Sequence, residues 1–221
     1  MKQPRKHLLC LLLALWLTGV LLAGCAADTA DANTDLPVIT VGCDNYPPFT
    51  YVNSDGKPVG IDVELADEAF RRMGYRPEFV TINWAEKNEL LENGVIDCIW
   101  SSFSMSGRAD EYTWAGPYMY SHQVVAVMPD SDIQTLADLA GKTVVAEAGS
   151  AGEAELTALG YTVTPVKAQS DALMEVAAGT SDAAVIDSLM AAAMVGEGTG
   201  YASLTYTCGL NSEEYGVGFR K

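Results

Sequence analysis

From Val38 onward the chain alternates short β-branched runs with amphipathic runs that end in glycine, and this alternation decides the fold class. Val38 to Gly42 predicts a strand, followed by a turn at Tyr46-Pro47-Pro48 and a second turn signal at Ser54-Asp55-Gly56. From Ile61 the apolar positions Ile61, Leu65, Ala69 and Met73 recur every four residues, with Val63, Ala66 and Phe70 widening the stripe. That period is helical, and Gly74 is its natural stop. Phe79 to Ile82 reads as a strand, Ala85 to Glu92 as a helix, Gly94 as a stop and Ile96 to Trp100 as a short apolar strand.

The second half repeats the grammar. Val124 to Met128 predicts a strand, Leu136 to Leu139 part of a short helix, Thr143 to Ala146 a strand, and Glu153 to Leu159 a helix ended by Gly160. Tyr161 to Pro165 is a strand, Asp171 to Ala178 a helix stopped by Gly179, and Ala183 to Ile186 a strand; Tyr206 to Phe219 reads as a connector and a final strand. One pattern occurs twice: helix, Gly94, two residues, Asp97, apolar strand, and then helix, Gly179, two residues, Asp182, apolar strand. The expectation is two α/β lobes of similar build. With 49% hydrophobic and 19% charged residues the chain can fill such cores, which excludes a disordered chain. Thirteen Lys plus Arg against 29 Asp plus Glu make an acidic body, a poor partner for nucleic acid.

The first residues follow another logic. Lys2, Arg5 and Lys6 precede an almost unbroken apolar run from Leu8 to Ala23, which reads as a secretory signal or, alternatively, a single membrane span. The run closes on Leu22-Ala23-Gly24-Cys25, which resembles the lipobox of bacterial lipoproteins and implies lipidation of Cys25 after removal of the signal peptide, residues 1–24. Residues 25–36 read as a flexible tether: after Cys25 come only Ala, Asp, Thr and Asn, closing on Leu36. Cys43, Cys98 and Cys208 remain in the body, where the default is buried thiols without a bridge.

In open α/β sheets ligands bind beyond the carboxyl ends of the strands. After Trp100 comes Ser101-Ser102-Phe103-Ser104-Met105-Ser106-Gly107-Arg108, either a serine-rich loop before a surface Arg, or hydroxyls and a guanidinium fork fit for a carboxylate. After Ala146 comes Glu147-Ala148-Gly149-Ser150-Ala151-Gly152, an ordinary turn or an anion site at a helix N-terminus. Asp187 follows Ile186 as an N-cap or as a fixed anion for an ammonium group. Tyr46 and Trp84 are core aromatics or ligand walls. Together the set complements a free amino acid.

These residues bring the chain close to a known family. From Val38 to the C-terminus it resembles the bacterial extracellular solute-binding proteins (family 3) that serve polar amino-acid ABC transporters. The likeness is carried by Val41-Gly42-Cys43-Asp44 with Tyr46-Pro47-Pro48-Phe49, Gly56 to Leu65, Asn93 to Asp97, the serine segment to Arg108, Gly116-Pro117-Tyr118, Leu139 to Lys142, Gly149-Ser150 and Asp182 to Asp187. The resemblance implies a type II periplasmic-binding-protein-like fold, two α/β lobes joined by two crossing strands with a ligand cleft between them. Lobe 1 is expected over 37–123 and 208–221, lobe 2 over 124–207. It also implies Arg108 for the ligand carboxylate, Asp187 for its ammonium, Ser102 and Ser104 as loop contacts, and Tyr46 and Trp84 as walls. Ser150 and the backbone of Ala151 complete the implied set. Asp44 and Glu147 are expected to favour a cationic or second zwitterionic side chain, as in a basic amino acid or cystine; for Glu147 a solvated loop charge is the alternative.

The sequence departs from the family pattern in three ways. The segment before Arg108 is one residue short and lacks a Glu, Ala151 stands where a hydroxyl is usual, and the chain stops at Lys221 where relatives continue into helix. The last leaves lobe 1 incomplete or the sequence a fragment. The expected protein is a non-enzymatic, monomeric binding component of an importer, lipid-anchored outside the cell membrane or periplasmic. Its partners are an amino acid and a permease, with no cofactor, no metal and no nucleic acid, and its only contact with the membrane is the anchor. A dehydratase-like enzyme on the same scaffold and a sensor lobe are the alternatives. After signal removal His122 is the sole histidine, in no arrangement with a nucleophilic Ser, and is expected to cap or pack.

Overall fold

The computed structural model describes residues 35–221. The expected signal peptide, Cys25 and all of the tether but Asp35 and Leu36 lie outside the described residues. The chain divides into two units, Met1–Leu36 and Pro37–Lys221, and the second carries the architecture.

Its strands are β1 (Val38–Cys43), β2 (Tyr51–Val52), β3 (Pro58–Val59), β4 (Arg76–Thr81), β5 (Cys98–Ser104), β6 (Thr113–Val127), β7 (Val144–Glu147), β8 (Val163–Val166), β9 (Ala183–Asp187) and β10 (Thr205–Phe219). The helices are α1 (Ile61–Arg72), α2 (Lys87–Glu92), α3 (Ala151–Ala158), α4 (Gln169–Ala177) and α5 (Ser188–Met194), with single 3₁₀ turns at Trp84–Glu86 and Leu136–Leu139. Apart from the small β2–β3 ribbon, the strands follow the order β4-β1-β5-β10-β6-β9-β7-β8. The outer strands on each side run parallel, β4, β1 and β5 in one lobe and β8, β7 and β9 in the other. The two 15-residue strands β6 and β10 pair antiparallel and belong to both lobes. One end of β10 meets β5 at Tyr215 to Phe219, while β6 meets β9 at Gln123 to Ala126. The protein is therefore two α/β lobes with mixed sheets joined by two strands. The changeover on β6 falls between Met119, opposite Tyr215, and Gln123, opposite Asp187.

Each lobe has its own apolar core. In lobe 1, Val41, Phe70, Cys98 and Trp100 form one cluster and Ile96, Ile99, Phe103 and Tyr112 another. In lobe 2, Val125, Leu139, Leu156 and Val185 pack on one face of the sheet and Leu173, Val176, Ile186 and Met190 on the other. Tyr46 and Phe49 of lobe 1 join the latter cluster, so the lobes share apolar contact beside the cleft. The repeated glycine–aspartate pattern has a structural cause. Asp97 accepts from the Thr40 amide at 2.8 Å and Asp182 from the Thr143 amide at 2.7 Å. In both lobes the residue that opens one strand pins its parallel neighbour, and the chain's own carbonyls Thr40 O and Thr143 O return the bond.

Several local readings are corrected. The buried face of α1 is Asp62, Val63, Ala66 and Phe70, whereas Ile61, Leu65 and Met73 lie exposed; the helix turns Asp62 inward, and the four-residue repeat moves to the surface. Ser101 to Ser104 continue β5 and are buried, because the Ser101 hydroxyl and the Ser102 amide and hydroxyl find partners inside. Tyr206 to Phe219 lies in one strand, not a connector and a strand. His122 is exposed rather than packed. Cys43 and Cys98 are buried thiols that burial pushes up to about 12, and Cys208 is free but only half-buried.

Candidate binding cleft

The carboxyl ends of β1, β5 and β7 converge where β6 and β10 cross between the lobes, and there the structure has a cleft. Its walls include Asp44, Tyr46, Trp84, Ser102, Ser104 and Arg108 from lobe 1 and Glu147, Ser150 and Ala151 from lobe 2. Nine of the ten candidate side chains named from the sequence within the described residues thus meet in one place; Asp187 does not line it.

Arg108 follows the turn after β5. Its Nη1 donates to Ser104 O at 3.2 Å and its Nη2 to Gly149 O at 3.1 Å, while the guanidinium lies 5.4 Å from the Phe103 ring centre. Burial pushes its pKa down, opposed by the charges of Tyr112, Glu111 and Glu213. Two of its five N–H donors are thus placed, and the rest are available to an anion. Beside it the buried Ser104 hydroxyl has Glu213 as its polar neighbour. Facing it is the N-terminus of α3, where Ser150 caps by accepting from Glu153 N at 3.1 Å and Ala151 is the first helical residue. Amides there have no intrahelical acceptor, so lobe 2 offers backbone donors toward the Arg108 side.

Ser102 is the one non-glycine residue among those described with positive φ, at 47°. Asp62, fully buried on α1, holds it there by accepting from Ser102 N at 2.6 Å, Ser102 Oγ at 3.1 Å and Tyr118 OH at 3.0 Å. Burial pushes the Asp62 carboxyl up to about 6 despite these bonds. Asp44 is fixed in a similar way: Ser101 Oγ accepts from its amide at 3.1 Å, and Thr50 Oγ1 donates to its carbonyl at 2.7 Å. Tyr46 stacks on Phe49 at 5.3 Å and Trp84 meets Phe103 edge-on at 5.3 Å, so each ring is core on one side and wall on the other.

Asp44 and Glu147 line the cleft from opposite lobes, and burial pushes both carboxyls up. Burial, then the Asp44 charge, push Glu147 well above the usual carboxylate range. Its Oε1 is buried without a partner. Near this pair, Lys87 Nζ donates to Trp84 O at 3.2 Å and to Gly149 O at 3.0 Å. Burial, then the Arg108 charge, push Lys87 down to about 8. Two lobe 1 cations therefore meet one lobe 2 carbonyl.

Sequence reasoning missed Gln123, Gln169, Glu213, Tyr215 and Phe103, all of which line the cleft. Gln123 and Glu213 sit on β6 and β10, where alternation would have marked them only if both strands had been drawn at full length. Asp187 is placed at the end of β9, fully buried. It caps α5 by accepting from Leu189 N at 2.8 Å and Met190 N at 3.2 Å, and takes Ser121 Oγ at 2.6 Å and the Tyr215 hydroxyl on its other oxygen.

Two lobes hinged on a pair of long strands, with a charged cleft between them, define the type II periplasmic-binding class. The chain belongs to the bacterial extracellular solute-binding proteins, family 3, whose pattern matches residues 39–193. Among relatives, PatH of Vibrio harveyi is 39% identical over 127 residues, 57% of this chain and 50% of that protein. The L-cystine-binding protein TcyA of Bacillus subtilis (strain 168) is 31% identical over 155 residues, 69% of this chain and 58% of its own length. These matches thus span little more than half of each relative. Among solved structures, the arginine-bound form of truncated ArgBP from T. maritima superposes with a TM-score of 0.76 at 33% identity, covering 83% of this chain and 88% of that one.

Proposed function

We propose that this chain is the extracytoplasmic substrate-binding component of an ABC importer, capturing a free amino acid between two closing lobes and delivering it to a membrane permease. Cleavage after residue 24 and lipid on Cys25 hold the body, a monomer, at the outer face of the cell membrane. The observation that carries the binding role is the Arg108 guanidinium, buried in the cleft with donors to spare and flanked by the buried Ser104 hydroxyl and the α3 N-terminus. That is a carboxylate site with one wall from each lobe. A ligand bridging both walls stabilises the shut form by its differential contacts with it.

The far side of the cleft, where Asp44 and Glu147 face each other, receives the ligand's side chain. Two buried carboxyls from opposite lobes favour a cation, so L-arginine, L-lysine or the second ammonium of L-cystine is the preferred cargo. The names of TcyA and ArgBP agree with that range. Isothermal titration of the protein with L-arginine, L-lysine, L-cystine, L-glutamine and L-glutamate tests the reading. Micromolar or tighter binding of a basic amino acid or cystine is expected; a preference for glutamate refutes the side-chain assignment. Unchanged ligand recovered after incubation distinguishes binding from turnover.

A further inference from the structure

The side-chain end of the cleft does not stop at Asp44. Beyond it lies a recess of about 370 Å³, within the size range of small-molecule sites, and Asp44 lines both spaces. Lobe 1 contributes Asn45, just after β1, and Asn83, just after β4; lobe 2 contributes Lys167 and Asp171 from the segment that joins β8 to α4. Gln169 of that same segment lines the cleft, so cleft and recess share a wall in each lobe.

Lobe 2 gives the recess one charge of each sign. None of the ion pairs among the described residues uses Lys167 or Asp171. Burial does most to raise the Asp44 carboxyl, and of the charges acting on it Asp171 raises it and Lys167 lowers it, so both stand within electrostatic reach of the cleft. Asn83 Nδ2 already donates to Glu86 Oε1 at 2.8 Å, which leaves its carbonyl oxygen as an acceptor. A side chain that ends in a cation alone is satisfied by Asp44 and Glu147 and meets Lys167 as a like charge. A second zwitterion matches the whole set: its ammonium stays between Asp44 and Asp171, and its carboxylate answers Lys167. The recess on the opposite side of the cleft is lined by Glu111 and Glu155, and its one cation is Arg108, which the first carboxylate takes.

We propose that the recess is an outer subsite for a second α-amino-acid head, with Lys167 receiving its carboxylate and Asp171 its ammonium, so that the cargo is a two-headed amino acid of the L-cystine class; the proposal rests on the amino-acid reading above. The first head lies on the Arg108 side, the spacer passes Asp44 and Glu147, and the second head sits between the two lobes at the mouth. L-arginine and L-lysine, with a single charge at the far end, leave Lys167 unanswered.

The test is isothermal titration with L-cystine, with L-arginine, and with S-methylthio-L-cysteine, which keeps the first head and the disulfide but lacks the second head. The wild-type protein is expected to bind L-cystine roughly twentyfold more tightly than S-methylthio-L-cysteine, two partly exposed charge contacts at about fivefold each. Lys167 is exposed, so Lys167→Glu can be made without disturbing a core. It is expected to weaken L-cystine by about tenfold, to leave S-methylthio-L-cysteine within about threefold, and to leave L-arginine unchanged or tighter. Should that variant not fold, Lys167→Ala decides, with a loss of about fivefold expected for L-cystine alone. Equal affinity of the wild-type protein for L-cystine and S-methylthio-L-cysteine, or binding of L-arginine without L-cystine, overturns the proposal and leaves the amino-acid reading intact. A parallel loss of all three ligands in the Lys167 variants does the same, because the charge then acts through Asp44 and not on a second head. Failure of the wild-type protein to bind any amino acid of the wider panel overturns that reading and this proposal with it.

Discussion

Replacing Arg108 by Ala tests the carboxylate site directly, and the structure sets the size of the effect. The side chain gives two hydrogen bonds to carbonyls, one of them across the cleft to Gly149, and lies over the Phe103 ring. In the free protein its loss is cushioned, since a buried cation disappears along with its bonds. In the complex nothing replaces it, because the ligand carboxylate is left desolvated beside only Ser104 and the α3 amides. Removing one partner of a buried charge pair costs about 3–5 kcal/mol, or roughly two to nearly four decades in affinity. Isothermal titration with the best panel ligand should then detect no binding at micromolar concentrations. Arg108→Lys should recover only part of the loss, since an ammonium cannot match the planar fork. A dissociation constant within about tenfold of wild type for Arg108→Ala would refute the reasoning.

Asp182→Ala removes the acceptor of the Thr143 amide and should cost about 1 kcal/mol in urea unfolding while leaving ligand affinity within about threefold. Asp62 makes stability depend on pH: folded it keeps its proton up to about 6, whereas unfolded it releases it near about 4, so the native state holds more protons in between. Its stabilising contribution is therefore full below that window and is lost as pH rises through it, by about 3 kcal/mol at most. Asp62→Asn should flatten this part of the stability–pH curve, and a curve that rises across the window in wild type but not in the variant would contradict the assignment. Gly60→Ala forces a Cβ to within 2.2 Å of Phe49 O at a φ of 127°, so it should destabilise by about 3 kcal/mol or more and loosen the turn that carries Tyr46, visible as a lower melting temperature.

The periodic features were legible in the sequence because they have a short-range cause. Strand and helix alternation and the glycine stops express local backbone preferences, and the structure returns both, whereas the paired Asp97 and Asp182 are explained only by bonds to distant Thr40 and Thr143. The cleft was legible where function sits at strand ends, as with Arg108, Glu147 and Ser150. Legibility failed where partners far apart in the chain decide. Ser101 to Ser104 look like a loop by composition, yet distant Asp62 and Thr50 supply the partners that let them stay in a buried strand. The outward turn of Leu65 in α1 follows from Asp62 facing in, which no helical period announces. Gln123 and Glu213 escaped because the polar first half of β6 and the mixed β10 owe their length to each other. Asp187 was read by type, and its bonds to Ser121 and Tyr215, far away in the chain, were not legible.

The shared strand pair has a mechanical consequence. Rotation about β6 and β10 displaces atoms in proportion to their distance from that axle. Glu213, Gln123 and Tyr215 ride on it and barely travel, while Ser150, Ala151 and Glu147, which lie off the pair in lobe 2, travel further. An arriving molecule would therefore dock first on a stationary floor and the Arg108 wall, and the lid that carries α3 would come down last. Release runs in the opposite order, which leaves the cargo seated on the floor when the roof is prised away.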